Sequence, residues 1–69
     1  MNDQFVIANG ERITALCPLS IEDFLLDHDL LPRSVVVEHN GEAVAPSEFR
    51  IRQLFAGDRL EIVKIVAGG

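Results

Sequence analysis

The sequence predicts an α+β fold, a mixed sheet of four to five strands with one helix packed across a single face. Three observations carry this. Two Asn-Gly pairs, Asn9-Gly10 and Asn40-Gly41, each divide a pair of short apolar stretches. Between them, Ile21 to Asp29 has helical spacing, and the last stretch is dense in β-branched residues. A helix with one apolar stripe needs a sheet to cover, so the pieces fold as layers.

Gln4 to Ala8, Asn9-Gly10 and Glu11 to Leu16 form the first hairpin signal. Asn-Gly supplies the two positive φ angles of a type I′ turn. In a two-residue loop Ala8 faces Glu11, which sets Val6 opposite Ile13 on the core side. Phe5 and Ile7 then project to the outer face beside Thr14 and Arg12. Ser20 with Asp23 resembles a capping box, and Glu22 and Asp23 sit where the helix macrodipole favours negative charge. Ile21, Phe24, Leu25 and His28 share one helical face, and the helix runs from Ile21 to about Asp29, ahead of Pro32.

Val35-Val36-Val37, within a strand from Ser34 to His39, suits a buried strand. Asn40-Gly41 repeats the hairpin signal, and Glu42 to Ala45 returns before Pro46. An irregular crossover through Arg52 follows, with Leu54 and Phe55 as apolar anchors. Gly57-Asp58 opens the last strand, with Leu60 and Ile62 on one face and Glu61 and Val63 on the other. The first and last long strands pair in parallel if the crossovers bring them together.

The chain has 69 residues, 48% of them hydrophobic and 25% charged, and a net charge of −5. That is one small globular domain with little room for an enclosed catalytic pocket. The acidic balance argues against nucleic acid and suits a partner with a basic docking surface. A single cysteine cannot close an internal disulfide, and no apolar run is long enough to span a bilayer. The first residues lack the features of a secretory signal, so a cytoplasmic protein with no membrane association is the expectation.

The final residues are the most informative. The last strand gives way to Ala67, Gly68 and Gly69. Two glycines are a costly way to finish a strand, since glycine loses the most conformational freedom on ordering. They do provide a thin arm that enters a narrow site where a Cβ would collide. The residues therefore divide into a domain, 1–66, and a tail, 67–69, whose reactive group is the carboxylate of Gly69.

Taken together, the strand and helix order, the Ser20-Ile21 helix opening, the run Val35 to Val44, and Gly57-Asp58 through Gly69 resemble the ThiS family. These are the thiamin-pathway sulfur carriers of the β-grasp, ubiquitin-like class. The resemblance implies a sulfur carrier protein, a co-substrate and not an enzyme. A ThiF-like, E1-like adenylyltransferase would use ATP and Mg²⁺ to adenylate Gly69. A persulfide sulfur donor would convert the adenylate to a thiocarboxylate, and a ThiG-like thiazole synthase would take the sulfur. Ala67 and Gly68 would thread the tail into these partners, and the carrier itself would bind no cofactor. Two alternatives stand beside this reading: a MoaD-like carrier of the molybdopterin pathway, and a non-covalent β-grasp interaction module.

Other candidates have plainer readings. Cys17 lacks a basic cluster to activate it and reads as an inert structural thiol. His28 and His39 have no neighbouring ligand spacing for a metal. Glu22, Asp23, Asp27 and Asp29 make a solvated acidic helix face. Phe5, Ile7, Val63 and Ile65 are either a partner-docking patch or, if the facing shifts by one residue, ordinary core.

Overall fold

The computed structural model describes residues 4–65. Five strands form the main sheet: β1 (Phe5–Ala8), β2 (Glu11–Thr14), β4 (Val35–His39), β5 (Glu42–Val44) and β7 (Arg59–Lys64), in the order β2-β1-β7-β4-β5. β1 and β7 are parallel neighbours, whereas the other three pairings are antiparallel. The helix α1 (Ile21–Asp27) covers one face. Two short strands, β3 (Leu19–Ser20) and β6 (Gln53–Leu54), pair with each other outside the main sheet.

The hairpin registers follow from the turns. Asn9 and Asn40 both have φ of 52°, and Gly10 and Gly41 have φ of 83° and 86°. Two consecutive positive φ angles are what a type I′ turn needs, and they match the twist of the flanking strands. Val6 accordingly lies opposite Ile13, and Ala8 opposite Glu11. The inner face of the sheet contributes Val6, Ala8, Val35, Val37, Val44 and Leu60 to the core. From the helix come Ile21, Phe24 and Leu25, and from the crossover Phe49 and Leu54. Each fully buried side chain of this size contributes about 1.5–3 kcal/mol.

The start of α1 is tied to the crossover. Ser20 Oγ accepts from the amide of Asp23 at 3.0 Å. The amides of Ile21 and Glu22 donate to the carbonyls of Arg52 and Phe49. These bonds satisfy donors that a helix N-terminus leaves unpaired. At its other end α1 stops at Asp27, two residues before the predicted end. Asp29 takes a left-handed φ of 59°, and the amides of Asp29 and Leu30 reach back to the carbonyls of Leu26 and Leu25. This is a Schellman closure with aspartate where glycine is usual.

Two further expectations are corrected. Phe55 is exposed and anchors nothing, because it opens a tight turn in which the Asp58 amide donates to the Phe55 carbonyl at 3.0 Å. His28 does not complete the buried helical face. It is exposed as the C-cap and leans on the Phe24 ring at a centroid distance of 4.4 Å.

Candidate functional site

β7 is the strand that leads toward the terminal glycines, and the fold grips it from both sides. On the β1 side, the Asn9 carboxamide imitates a strand residue. Its Nδ2 donates to the Ile62 carbonyl at 3.0 Å, and its Oδ1 accepts from the Ile62 amide at 2.7 Å. The Asn9 amide also donates to the Leu60 carbonyl. On the β4 side, Asn40 Oδ1 accepts from the Arg59 amide at 2.8 Å, and the Asn40 amide donates to the Arg59 carbonyl. Each Asn-Gly turn thus shapes a hairpin and latches the central strand.

The base of β7 carries a polar chain centred on a buried histidine. His39 lies beneath the sheet with its Nδ1 accepting from Arg52 Nε at 2.9 Å. An accepting Nδ1 leaves the ring proton on Nε2, which donates to Asp58 Oδ2 at 2.8 Å. Asp58 Oδ2 also accepts from the Phe55 amide at 2.9 Å. Arg52 is held in turn by Glu42 and, at 3.7 Å, by Glu48. Burial pushes the Asp58 carboxyl up, but the Phe55 amide and the hydrogen bonds from His39 and Asn40 outweigh it, and the net displacement is downward. This chain pins β4, the crossover and the start of β7 together. In the sequence His39 stands as an isolated strand-end histidine, with nothing nearby to announce these partners.

The predicted tail residues, Ala67, Gly68 and Gly69, lie outside the described residues, as does the 66/67 boundary. Phe5, Ile7 and Val63 stand on the strand faces turned away from α1, and Ile65 follows the end of β7. Pairing of Ile7 with Arg59 divides these residues into two groups. Phe5 and Ile7 are half-buried, and the Arg12 guanidinium covers the Phe5 ring at 3.8 Å from its centroid. Val63 and Ile65 lie at the far end of β7, beyond Arg59 and Glu61, and are 63% and 54% exposed. Val36 pairs directly with Val63 across β4 and is 52% exposed, so it extends the second group. The run of three valines suits a buried strand; in the structure Val35 and Val37 are buried and Val36 is exposed.

Cys17 is half-buried, with its thiol 3.5 Å from the Ala15 carbonyl. Burial pushes this thiol up from its ordinary value, and the Asp58 charge acts in the same direction. It is therefore poorly ionised as a nucleophile. Among the described residues, no three His, Cys, Asp or Glu side chains gather as a metal site. Nor is any described helix long and apolar enough to cross a membrane.

The sequence model of the ThiS family matches residues 2–69. The crystal structure of a thiamine biosynthesis protein (ThiS) from Geobacter metallireducens superposes with a TM-score of 0.81 at 25% identity, covering 94% of this chain and 99% of that one. The NMR solution structure of a thiamine biosynthesis protein from the same organism gives a TM-score of 0.76 at 24% identity, covering 94% and 87%, and speaks to the fold alone. Comparison with curated protein sequences gives no match.

Proposed function

Since the chain belongs to the ThiS family, we propose that it carries sulfur for thiamin thiazole synthesis on the carboxylate of Gly69. The observation that supports this most is the family match through residue 69, which includes Gly68 and Gly69. The domain is a β-grasp carrier and not an enzyme. The chemistry is supplied by partners, and the chain presents a substrate.

A carboxylate is a poor electrophile, so it must first be activated. A ThiF-like adenylyltransferase with ATP and Mg²⁺ joins the Gly69 carboxylate to AMP and releases pyrophosphate. A donor persulfide then attacks the acyl carbon through its terminal sulfur, and AMP departs with the bonding electrons. Cleavage of the resulting acyl disulfide by a second thiol leaves the thiocarboxylate and a disulfide on the donor side. A ThiG-like thiazole synthase accepts that sulfur. The cycle needs ATP and reduced thiols, which fits a cytoplasmic setting.

This chain contributes positioning. The latches of Asn9 and Asn40 and the chain through His39 hold β7 as a rigid root, and residues 67–69 serve as the arm. A strand end fixed in the sheet favours in-line presentation of the Gly69 carboxyl to a partner's active site. Val63, Ile65 and Val36 form a docking surface at the base of that arm, with Phe5 and Ile7 as a second contact farther along the sheet. Incubation with a ThiF-like enzyme, ATP, Mg²⁺ and a persulfide donor is the test. A mass gain equal to exchanging one oxygen for sulfur, localised to Gly69, is expected. No adduct with a matched, competent enzyme would leave a non-covalent interaction module as the reading.

A further inference from the structure

We propose that the open edge of β2, with the cleft between β2 and α1, is a second docking site, which takes an extended, basic-flanked apolar segment of a partner protein as a sixth strand. β2 is the last strand on its side of the sheet. Its outward backbone groups can be identified from its neighbour. Phe5 and Ile7 spend their main-chain groups on β7, through Gly57 N–H to Phe5 O at 2.7 Å and Ile7 N–H to Asp58 O at 2.8 Å. Their partners across the hairpin are Thr14 and Arg12. In an antiparallel pair such residues point their amides and carbonyls away from the neighbour, so Arg12 and Thr14 offer a free ladder.

The space beside this ladder is shaped for side chains. Two hollows of about 340 and 350 Å³ flank Phe24 and His28 of α1. One is floored by Ile13 and Ile62, the other by Ala15 and Leu19, and Leu16 stands 85% exposed at the end of the second. An added strand would place alternate side chains into these hollows and the others toward solvent. Arg12 does not obstruct the edge, because its guanidinium is drawn over Phe5 on the outer face.

Charge selects the occupant. α1 carries Glu22, Asp23 and Asp27 and no lysine or arginine, and Asp27 and Glu11 each line one of the hollows. Lys64 is the one lysine or arginine among the residues lining them. A second copy of this chain would bring the same acidic helix, and a net charge of −5, to the edge. A segment with lysine or arginine beside its apolar residues meets this rim with opposite charge. The site lies on the β2 side of α1, on the sheet face opposite Val36 and Val63. The hollow floored by Ile13 and Ile62 reaches Lys64 at the end of β7, whereas the one lined by Thr14 and Asp27 contains no β7 residue. It does not depend on the proposed sulfur chemistry.

The test is selection of short random peptides displayed on phage against the 1–69 protein, with Thr14→Pro as the counter-target. The Thr14 amide bonds nothing within the sheet, so proline removes a ladder donor at an edge position that tolerates it. Enriched peptides should alternate apolar and polar residues with lysine or arginine at the flanks. They should protect the Arg12 and Thr14 amides from hydrogen exchange. Both Thr14→Pro and Asp27→Lys should weaken binding about tenfold or more, a loss of about 1.4 kcal/mol, with thiocarboxylate formation unchanged. If Thr14→Pro proves unfolded, the exchange pattern and Asp27→Lys decide. Absence of enrichment over the counter-target, or protection centred on Val36 and Val63, would overturn the proposal. So would a concentration-dependent dimer abolished by Asp27→Lys or Thr14→Pro.

Discussion

The carboxamide of Asn9 holds the backbone of Ile62 at both its amide and its carbonyl, at 2.7 and 3.0 Å, across 53 residues of sequence. A turn residue thereby prolongs the β1–β7 ladder past the end of β1. The same residue must hold φ at 52°, which asparagine and glycine tolerate far better than alanine. Asn9→Gly keeps the conformation and loses the latch, so it should cost about 1–2 kcal/mol. Asn9→Ala loses both and should cost more. Urea denaturation of the three proteins, compared at equal m-value, checks the order.

Asp58 makes stability depend on pH in a definite direction. Its carboxyl is held below the ordinary value in the folded chain, so the unfolded chain binds the proton more readily. Its contribution is therefore complete above the unfolded carboxylate value and is lost as pH falls through the folded one. Asp58→Ala should cost about 2–3 kcal/mol at neutral pH, because it strands the His39 and Phe55 donors. The gap between wild type and variant should close below about pH 4, the unfolded carboxylate range. Thermal melts across that range would show it, and a gap constant down to the lowest pH would count against the assignment.

Cys17 should be a bystander. Its raised thiol predicts alkylation by iodoacetamide at neutral pH slower than that of a free cysteine peptide. Cys17→Ala should leave thiocarboxylate formation within about twofold of wild type, a difference of roughly 0.4 kcal/mol. A sulfur adduct on Cys17 in the mass assay would contradict both statements.

Val63→Asp and Val36→Asp place a carboxylate on an exposed surface and should leave the folded spectrum intact. Each should raise the KM of the activating enzyme about tenfold or more, as expected when an apolar contact near an interface centre is lost. Ile7→Asp makes a useful contrast, since Ile7 is half-buried and its loss should register first in stability. Steady-state kinetics beside circular dichroism separates the two behaviours.

Gly68→Val and deletion of Gly69 address the tail directly. Each should abolish adenylation while shifting the unfolding midpoint little, because the buried core lies within Val6–Leu60. Pyrophosphate release reads the first effect and calorimetry the second.

Much of the sheet was legible because two-residue Asn-Gly turns fix register, and register fixes facing. Val6 against Ile13 follows from Asn9-Gly10 by counting. The helix end was less legible, since Asp29 adopts a left-handed conformation that composition alone does not announce. Phe49 and Phe55 have the same side chain and both sit at tight turns, but the first is buried where its carbonyl accepts from Glu22 at the start of α1 and the second is exposed, a difference that appears only in the tertiary structure. The chain from Arg52 through His39 to Asp58 could not be read at all. Its members are 13 and 19 residues apart and meet only when β4 pairs with β7. The exposure of Val36, within a run suited to a buried strand, has a related cause. Alternation within an unbroken apolar run is invisible until one face of the sheet is seen to lack a cover.

The parallel adjacency of β1 and β7 also decides how the domain bears a load. Their chains enter and leave at opposite ends of the shared ladder, from Phe5 at one end to Lys64 at the other. A pull on the distal end of β7, against a domain held at the start of β1, strains the Gly57, Ile7 and Asn9 hydrogen bonds together in shear. They cannot open one at a time, as they would if a hairpin were peeled. A partner that pulled on a captured tail would therefore load the β1–β7 ladder as a whole.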